Sequence, residues 1–136
     1  MKQSKQVFFL MTLILLLMSS GCKDKSALLA KTWMVNDLQY TTEVPKEMQP
    51  TIDKSVAEMR NSFRLTYNPD GTYKTQMNDQ LLEGKWKMNW NSTIITSTTD
   101  KGATKDFKVL ELTESSFKFE ADEGGEKVIF VMIPAK

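Results

Sequence analysis

The sequence predicts an all-β domain: an antiparallel up-and-down barrel of about eight strands, with one short helix between the first and second strands. Three observations support this fold class. Short segments alternate apolar and polar side chains, tight-turn motifs separate these segments, and one segment alone has helical periodicity. Sequential antiparallel strands of this number can close into a barrel, which removes exposed sheet edges, or split into two packed sheets. We favour the barrel.

The first predicted strand spans residues 32–40, and the helix follows over residues 50–61. Pro50 suits the first turn of a helix, and apolar residues then recur at spacings of four and three. This spacing would place one apolar stripe against the rest of the domain. The stripe consists of Ile52, Val56, Met59 and Phe63.

From Ser62 onward the hydrophobic period changes to two, which is the period of a strand with one buried face. The Asn-Pro-Asp-Gly sequence at 68–71 predicts a tight turn, because proline presets φ and glycine can adopt a positive φ. A second turn is expected at Asn78-Asp79. These signals predict strands over residues 63–67, 72–77 and 82–90.

Four further strands complete the predicted barrel. They span residues 93–98, 105–112, 116–121 and 127–133, with polar or glycine-containing turns between them. The last strand is apolar on both faces. We therefore expect its outer face to be covered by the 50–61 helix or by the mouth of the barrel.

The N-terminal segment has the pattern of a secretory leader. Lys2 and Lys5 precede an apolar run over residues 7–18, and small residues at 19–21 lead to Cys22. Twelve helical residues rise about 18 Å, which is well short of the roughly 30 Å hydrocarbon core of a bilayer. The run is therefore expected to be removed rather than to remain as a membrane span.

The junction at Gly21-Cys22 resembles the lipobox of bacterial lipoprotein precursors, although Ser19 stands where that motif most often has leucine. The resemblance implies cleavage between Gly21 and Cys22 and lipidation of Cys22, whose acyl chains would hold the protein on a membrane. It divides the chain into a signal peptide (1–21), a lipidated tether (22–27) and a barrel domain (28–136). The expected location is the cell envelope, on the outer membrane, facing either the periplasm or the cell exterior.

Composition excludes several function classes. Removing residues 1–21 takes Lys2 and Lys5 from 18 basic residues, so 16 remain against 17 acidic ones and the net charge is about −1. No basic stripe is present, so we expect no nucleic-acid partner. The chain has no histidine, and its single cysteine is assigned to the lipid. His-based triads and the usual zinc sites are therefore excluded, and we predict no metal, no cofactor and no enzymatic activity.

A tryptophan in the first predicted strand and two short motifs further along the chain suggest a family. They are Trp33, Asp70-Gly71-Thr72-Tyr73 and Gly84-Lys85-Trp86. Through these residues the region from Leu28 to Ile133 resembles the lipocalin-like domains of gram-negative lipoproteins. One departure is that Lys31 occupies the glycine position of the lipocalin Gly-x-Trp signature. The resemblance implies a calyx that holds a small apolar molecule.

An eight-stranded barrel is just wide enough either to be filled by side chains or to hold one small ligand. The many aromatic residues favour a filled interior, so Trp33 and Trp86 are expected mainly in the core. Tyr67, Tyr73 and Trp90 lie near predicted strand ends and are candidates for a pocket mouth, with Trp86 as a further ligand contact. The alternative function is a non-enzymatic module that engages a protein or polysaccharide through its outer surface.

Overall fold

The computed structural model describes residues 25–136, so the predicted signal peptide, the Gly21-Cys22 cleavage site and the lipidated Cys22 lie outside the described residues. Eight antiparallel strands pair in sequential order, and the first pairs with the last to close a barrel. The predicted fold class is confirmed. The strands are β1 (Thr32–Tyr40), β2 (Phe63–Tyr67), β3 (Thr72–Met77), β4 (Gln80–Met88), β5 (Ile94–Thr99), β6 (Thr104–Leu112), β7 (Phe117–Glu123) and β8 (Glu126–Pro134).

Two α-helices accompany the barrel. Helix α1 (Lys25–Leu29) precedes β1, and helix α2 (Gln49–Ser62) follows a short 3-10 helix (Lys46–Met48) between β1 and β2. Helix α2 confirms the predicted 50–61 helix. Helix α1 was not predicted, and its first three residues belong to the segment that the sequence assigned to the tether.

Helix α2 lies against β1 and makes smaller contacts with β2 and β3. Val56 is the buried residue of this helix. The guanidinium of Arg60 donates a hydrogen bond of 2.7 Å to the carbonyl of Asn36. Asn36 is the extra residue where the β1–β8 register shifts, so the helix is attached at a β-bulge. The outward apolar residues of β8, which are Ile129, Val131 and Ile133, are half-buried, although the helix packs mainly on β1.

The barrel has a closed end and an open end. The closed end carries α1 and the β2–β3, β4–β5 and β6–β7 turns, whereas the open end carries the other three strand-to-strand turns and the segment that contains α2. The β2–β3 turn is the one predicted at 68–71: Gly71 adopts a φ of +88°, and the carboxylate of Asp70 accepts a hydrogen bond from the backbone N–H of Thr72.

Trp33 fills the closed end. Its side chain is fully buried, its ring packs against Phe117 at a centroid distance of 5.4 Å, and its Nε1 donates to the carbonyl of Leu29 at 3.0 Å. Lys31, which stands in the glycine position of the lipocalin signature, crosses over the indole ring, and its Nζ donates to the carbonyl of Glu114 in the β6–β7 turn. A lysine at this position therefore covers the closed end of the barrel.

Replacing Trp33 with phenylalanine should lower the free energy of unfolding by about 2 kcal/mol, because it leaves a void and removes a buried hydrogen bond. Trp86→Phe is the matched control: Trp86 also donates a hydrogen bond through Nε1, to Asn68, but is only partly buried. Trp86→Phe should lower the free energy of unfolding by only about 1 kcal/mol. Urea unfolding of both variants checks the difference, and equal losses would contradict this account of the closed end.

Candidate functional site

An apolar cavity of about 570 Å³ occupies the open half of the barrel. This volume lies within the range of roughly 300–1,000 Å³ that is usual for small-molecule sites. The expectation of a filled interior is therefore met only at the closed end. The lining includes inward residues of seven of the eight strands, all except β1, and Met59 of helix α2.

One wall of the cavity is aromatic. Phe107, Phe119 and Phe130 lie on neighbouring strands β6, β7 and β8. The rings of Phe119 and Phe130 stack in parallel at 4.9 Å, and Phe107 meets Phe119 edge to face at 5.2 Å. Interlocked rings of this kind form a firm wall against which an apolar molecule can lie.

The floor of the cavity carries a buried polar pair. Tyr67 is 3% exposed, and its hydroxyl lies close to the hydroxyl of Ser97, the one buried polar residue among residues 25–136. Burial raises the pKa of the Tyr67 phenol far above its ordinary value, and the neighbouring Ser97 hydroxyl opposes this only in part. The pair therefore offers an uncharged hydrogen-bonding site at the bottom of an apolar cavity.

Tyr73 lies beside Tyr67 and crosses the backbone of Gly84 on the neighbouring strand. A Cβ atom at Gly84 would clash with the carbonyl oxygen of Thr98 and would lie 2.8 Å from the Tyr73 ring. The absence of a side chain at Gly84 therefore makes room for Tyr73. Burial raises the pKa of Tyr73, and the negative charge of Asp100 raises it further.

The structure brings Tyr67 and Tyr73 together, but at the floor of the cavity rather than at its mouth. Both residues flank the β2–β3 turn, which is at the closed end. Trp86 lies behind the floor, where its ring meets Tyr67 edge to face at 5.2 Å and its Nε1 donates to the carbonyl of Asn68. It packs in the structure without lining the cavity.

Trp90 lies away from the other candidates. Strand β4 ends at Met88 rather than continuing to residue 90, and Trp90 is 95% exposed in the β4–β5 turn at the closed end. The turn forms because the side chain of Asn89 accepts hydrogen bonds from the backbone N–H groups of Thr93 and Ile94. Trp90 therefore does not form a pocket mouth.

The residues at the mouth were missed by the sequence analysis. Lys105 and Glu123 line the cavity at the open end and form an ion pair with an Nζ–Oε1 distance of 2.9 Å. Lys105 is separated by one residue from the inward Phe107, so the strand period carried a signal for it. Glu123 was assigned to a turn because β7 was expected to end at residue 121, whereas the strand runs to residue 123.

Residues 25–136 also bear on metal binding and on membrane-spanning helices. No group of three or more histidine, cysteine or acidic side chains in this part of the chain could hold a metal ion. No helix within the same range is sufficiently long and apolar to cross a membrane.

The buried Tyr67 predicts a loss of stability at alkaline pH. Above a pH of about 10 the unfolded state loses the phenolic proton while the folded state keeps it, so the free energy of unfolding falls as pH rises, by about 1 kcal/mol for each pH unit. Tyr67→Phe should make this fall less steep. Urea midpoints measured from about pH 9 to 11 check the prediction, and identical slopes for both proteins would contradict it.

Comparisons with known proteins bear on the fold. A scan against protein-family models and a search of curated proteins give no significant match. Solved structures do match this chain, among them the following two. A lipocalin-like protein from Bacteroides uniformis matches with a TM-score of 0.53 and 15% identity over 79% of this chain and 99% of that chain. A DUF4847 family protein from Bacteroides vulgatus matches with a TM-score of 0.55 and 16% identity over 82% and 97%.

At these identities the similarity concerns the fold. Both structures are matched over nearly their whole length, so the likeness covers a complete domain and not a shared hairpin. It agrees with the closed barrel of eight antiparallel strands and with the helix between β1 and β2. The chain has a lipocalin-like fold.

Proposed function

We propose that this protein is a lipid-anchored, lipocalin-like lipoprotein of the bacterial envelope that binds a small apolar molecule in its barrel. The observation that carries the proposal is the cavity of about 570 Å³ at the open end. Its volume suits one small molecule, and its wall is mainly aromatic and aliphatic. Burial of apolar surface would supply most of the binding free energy.

The lining also suits a ligand with a single polar group. Apart from the hydroxyls of Tyr73 and three threonines, the polar lining consists of the hydroxyls of Tyr67 and Ser97 at the floor and the Lys105–Glu123 pair at the mouth. A small number of polar groups in an apolar cavity fixes the orientation of a ligand without opposing its burial. The proposed ligand is therefore an amphiphile or a largely apolar molecule.

The lining supports a binding function rather than catalysis. Its two charged side chains are paired with each other at the mouth, and the chain has no histidine to serve as a general base. The hydroxyl at the floor belongs to a tyrosine whose pKa is raised, so this group stays protonated at neutral pH. We therefore propose a non-enzymatic protein that needs no cofactor.

The proposed anchor would sit at the closed end of the barrel. Cys22 precedes Lys25 by three residues, a span of at most about 11 Å. Helix α1 is attached to the closed end, since its Leu29 is buried and accepts the hydrogen bond from Trp33. A lipid on Cys22 would then hold the closed end near the membrane and leave the mouth of the cavity on the opposite side.

Filling the cavity tests ligand binding. Thr75 lines the cavity on β3, so Thr75→Phe should weaken binding of the neutral apolar dye Nile red by about tenfold or more. Lys74→Phe is the matched control, because the neighbouring residue faces outward and is exposed. Fluorescence titration checks the result. Absence of dye binding to the unmodified protein, or equal binding to both variants, would rule out the cavity as the site.

Metabolic labelling tests the anchor. In a gram-negative host the chain should incorporate an alkyne fatty acid and accumulate as the uncleaved precursor when globomycin is added. Cys22→Ser should lose the label and leave the membrane fraction, because it lacks the sulfur that is acylated. Ser19→Leu, which restores the usual lipobox residue, should keep the label. Unlabelled Cys22 protein with globomycin-insensitive processing would overturn the assignment.

A further inference from the structure

We infer that Lys105 and Glu123 form a head-group site at the mouth of the cavity, and that this site selects an amphiphile with a zwitterionic head. The inference rests on the proposed ligand-binding function and adds the chemical class of the ligand. It begins from an unusual feature of the barrel: two oppositely charged side chains stand on its inward face, where the other lining residues are apolar or uncharged.

The strand register fixes the direction of both side chains. Lys105 lies opposite Ser97 in the β5–β6 pairing, and Ser97 is buried in the cavity floor. Glu123 follows the buried inward residues Phe119 and Ala121 at intervals of two along β7. Residues that face each other across a pair of strands, or that alternate along one strand, lie on the same side of the sheet. Both charged side chains therefore lie on the inward face of the barrel, where a ligand would bind.

The pair is positioned at the edge of the aromatic wall. The Nζ of Lys105 is 2.9 Å from Oε1 of Glu123 and 5.6 Å from the ring centroid of Phe107. The two side chains are 45% and 53% exposed, so water screens their attraction and the pair contributes little to stability. The polar head of a ligand can therefore replace the contact between Lys105 and Glu123 with contacts of its own, at a small cost in free energy.

Both groups keep hydrogen-bonding capacity for a ligand. An ammonium has three N–H donors, and the one hydrogen bond from Lys105 to another described residue goes to Glu123. A carboxylate has two acceptor oxygens, and only Oε1 of Glu123 takes part in that bond. The mouth thus offers donors and an acceptor side by side, directly above an apolar wall.

This arrangement discriminates between head groups by charge. A carboxylate head would bond to Lys105 but would be repelled by Glu123, and an ammonium head would meet the reverse situation. A head that carries both charges can place its anionic group on Lys105 and its cationic group on Glu123, so every charge stays paired. A neutral alcohol would gain only the apolar part of the binding.

A panel of four matched amphiphiles tests the inference by displacement of Nile red at neutral pH. The panel is decanol, decanoic acid, decylamine and 2-aminodecanoic acid, which share an unbranched ten-carbon skeleton and differ in head charge. The wild-type protein should bind 2-aminodecanoic acid about three- to tenfold more tightly than each of the other three, as half-exposed ion pairs allow.

Variants at the two positions should change the order of the panel in opposite directions. Lys105→Gln leaves a carboxylate alone and should favour decylamine, whereas Glu123→Gln leaves an ammonium alone and should favour decanoic acid. Glu120→Gln and Lys127→Gln are the matched controls, because these residues also form an ion pair between neighbouring strands, at 3.6 Å, but on the outer face and between β7 and β8. They should leave the order unchanged.

Each outcome decides between the two proposals. If decanol and the other three compounds all fail to displace the dye, apolar binding in the cavity fails and the head-group site fails with it. If decanol binds but 2-aminodecanoic acid has no advantage in the wild-type protein, the head-group site is overturned and the cavity remains a binding site. Thermal unfolding of each variant verifies that the barrel is intact.

Discussion

Closure of the sheet between β1 and β8 is the constraint on which the rest of the structure depends. The pairing runs from Trp33 opposite Pro134 to Tyr40 opposite Val128, with one bulge at Asn36. A closed sheet has no free edges and only one inside, so the two-residue period assigns every strand position to the interior or to the surface. The aromatic wall and the charged pair at the mouth both follow from that assignment.

The interior is divided because large and small side chains are distributed unevenly along it. Trp33, Phe117 and Leu29 fill the closed end completely. Towards the open end the inward positions include Thr75 and Thr99, which cannot fill a barrel of this width. The same strands therefore enclose a packed core at one end and a cavity at the other.

The strands and the inward aromatic rings could be predicted because the two-residue period is a local property of the sequence. What could not be predicted depends on pairing. At Leu110 a bulge shifts the phase of β6, so Leu112 is buried although uninterrupted alternation from Phe107 would place Glu111 inside. Tyr67 lies at the closed end because the β2–β3 turn is at the same end of the barrel as Trp33, and this arrangement is set by the strand pairing. Strand β4 ends before Trp90 because the side chain of Asn89 accepts hydrogen bonds from the backbone N–H groups of Thr93 and Ile94, and alternation along the strand gives no signal of this.

The two ends of the barrel also explain how an anchor and a binding site could coexist on so small a domain. An acylated Cys22 would lie within a few residues of helix α1, and α1 is attached to Trp33 at the closed end. Ligand entry requires the other end, where Lys105 and Glu123 are half-exposed. Because the packed core separates these ends, a membrane held against one would not obstruct the other. An anchor at the open end would instead place the bilayer across the mouth.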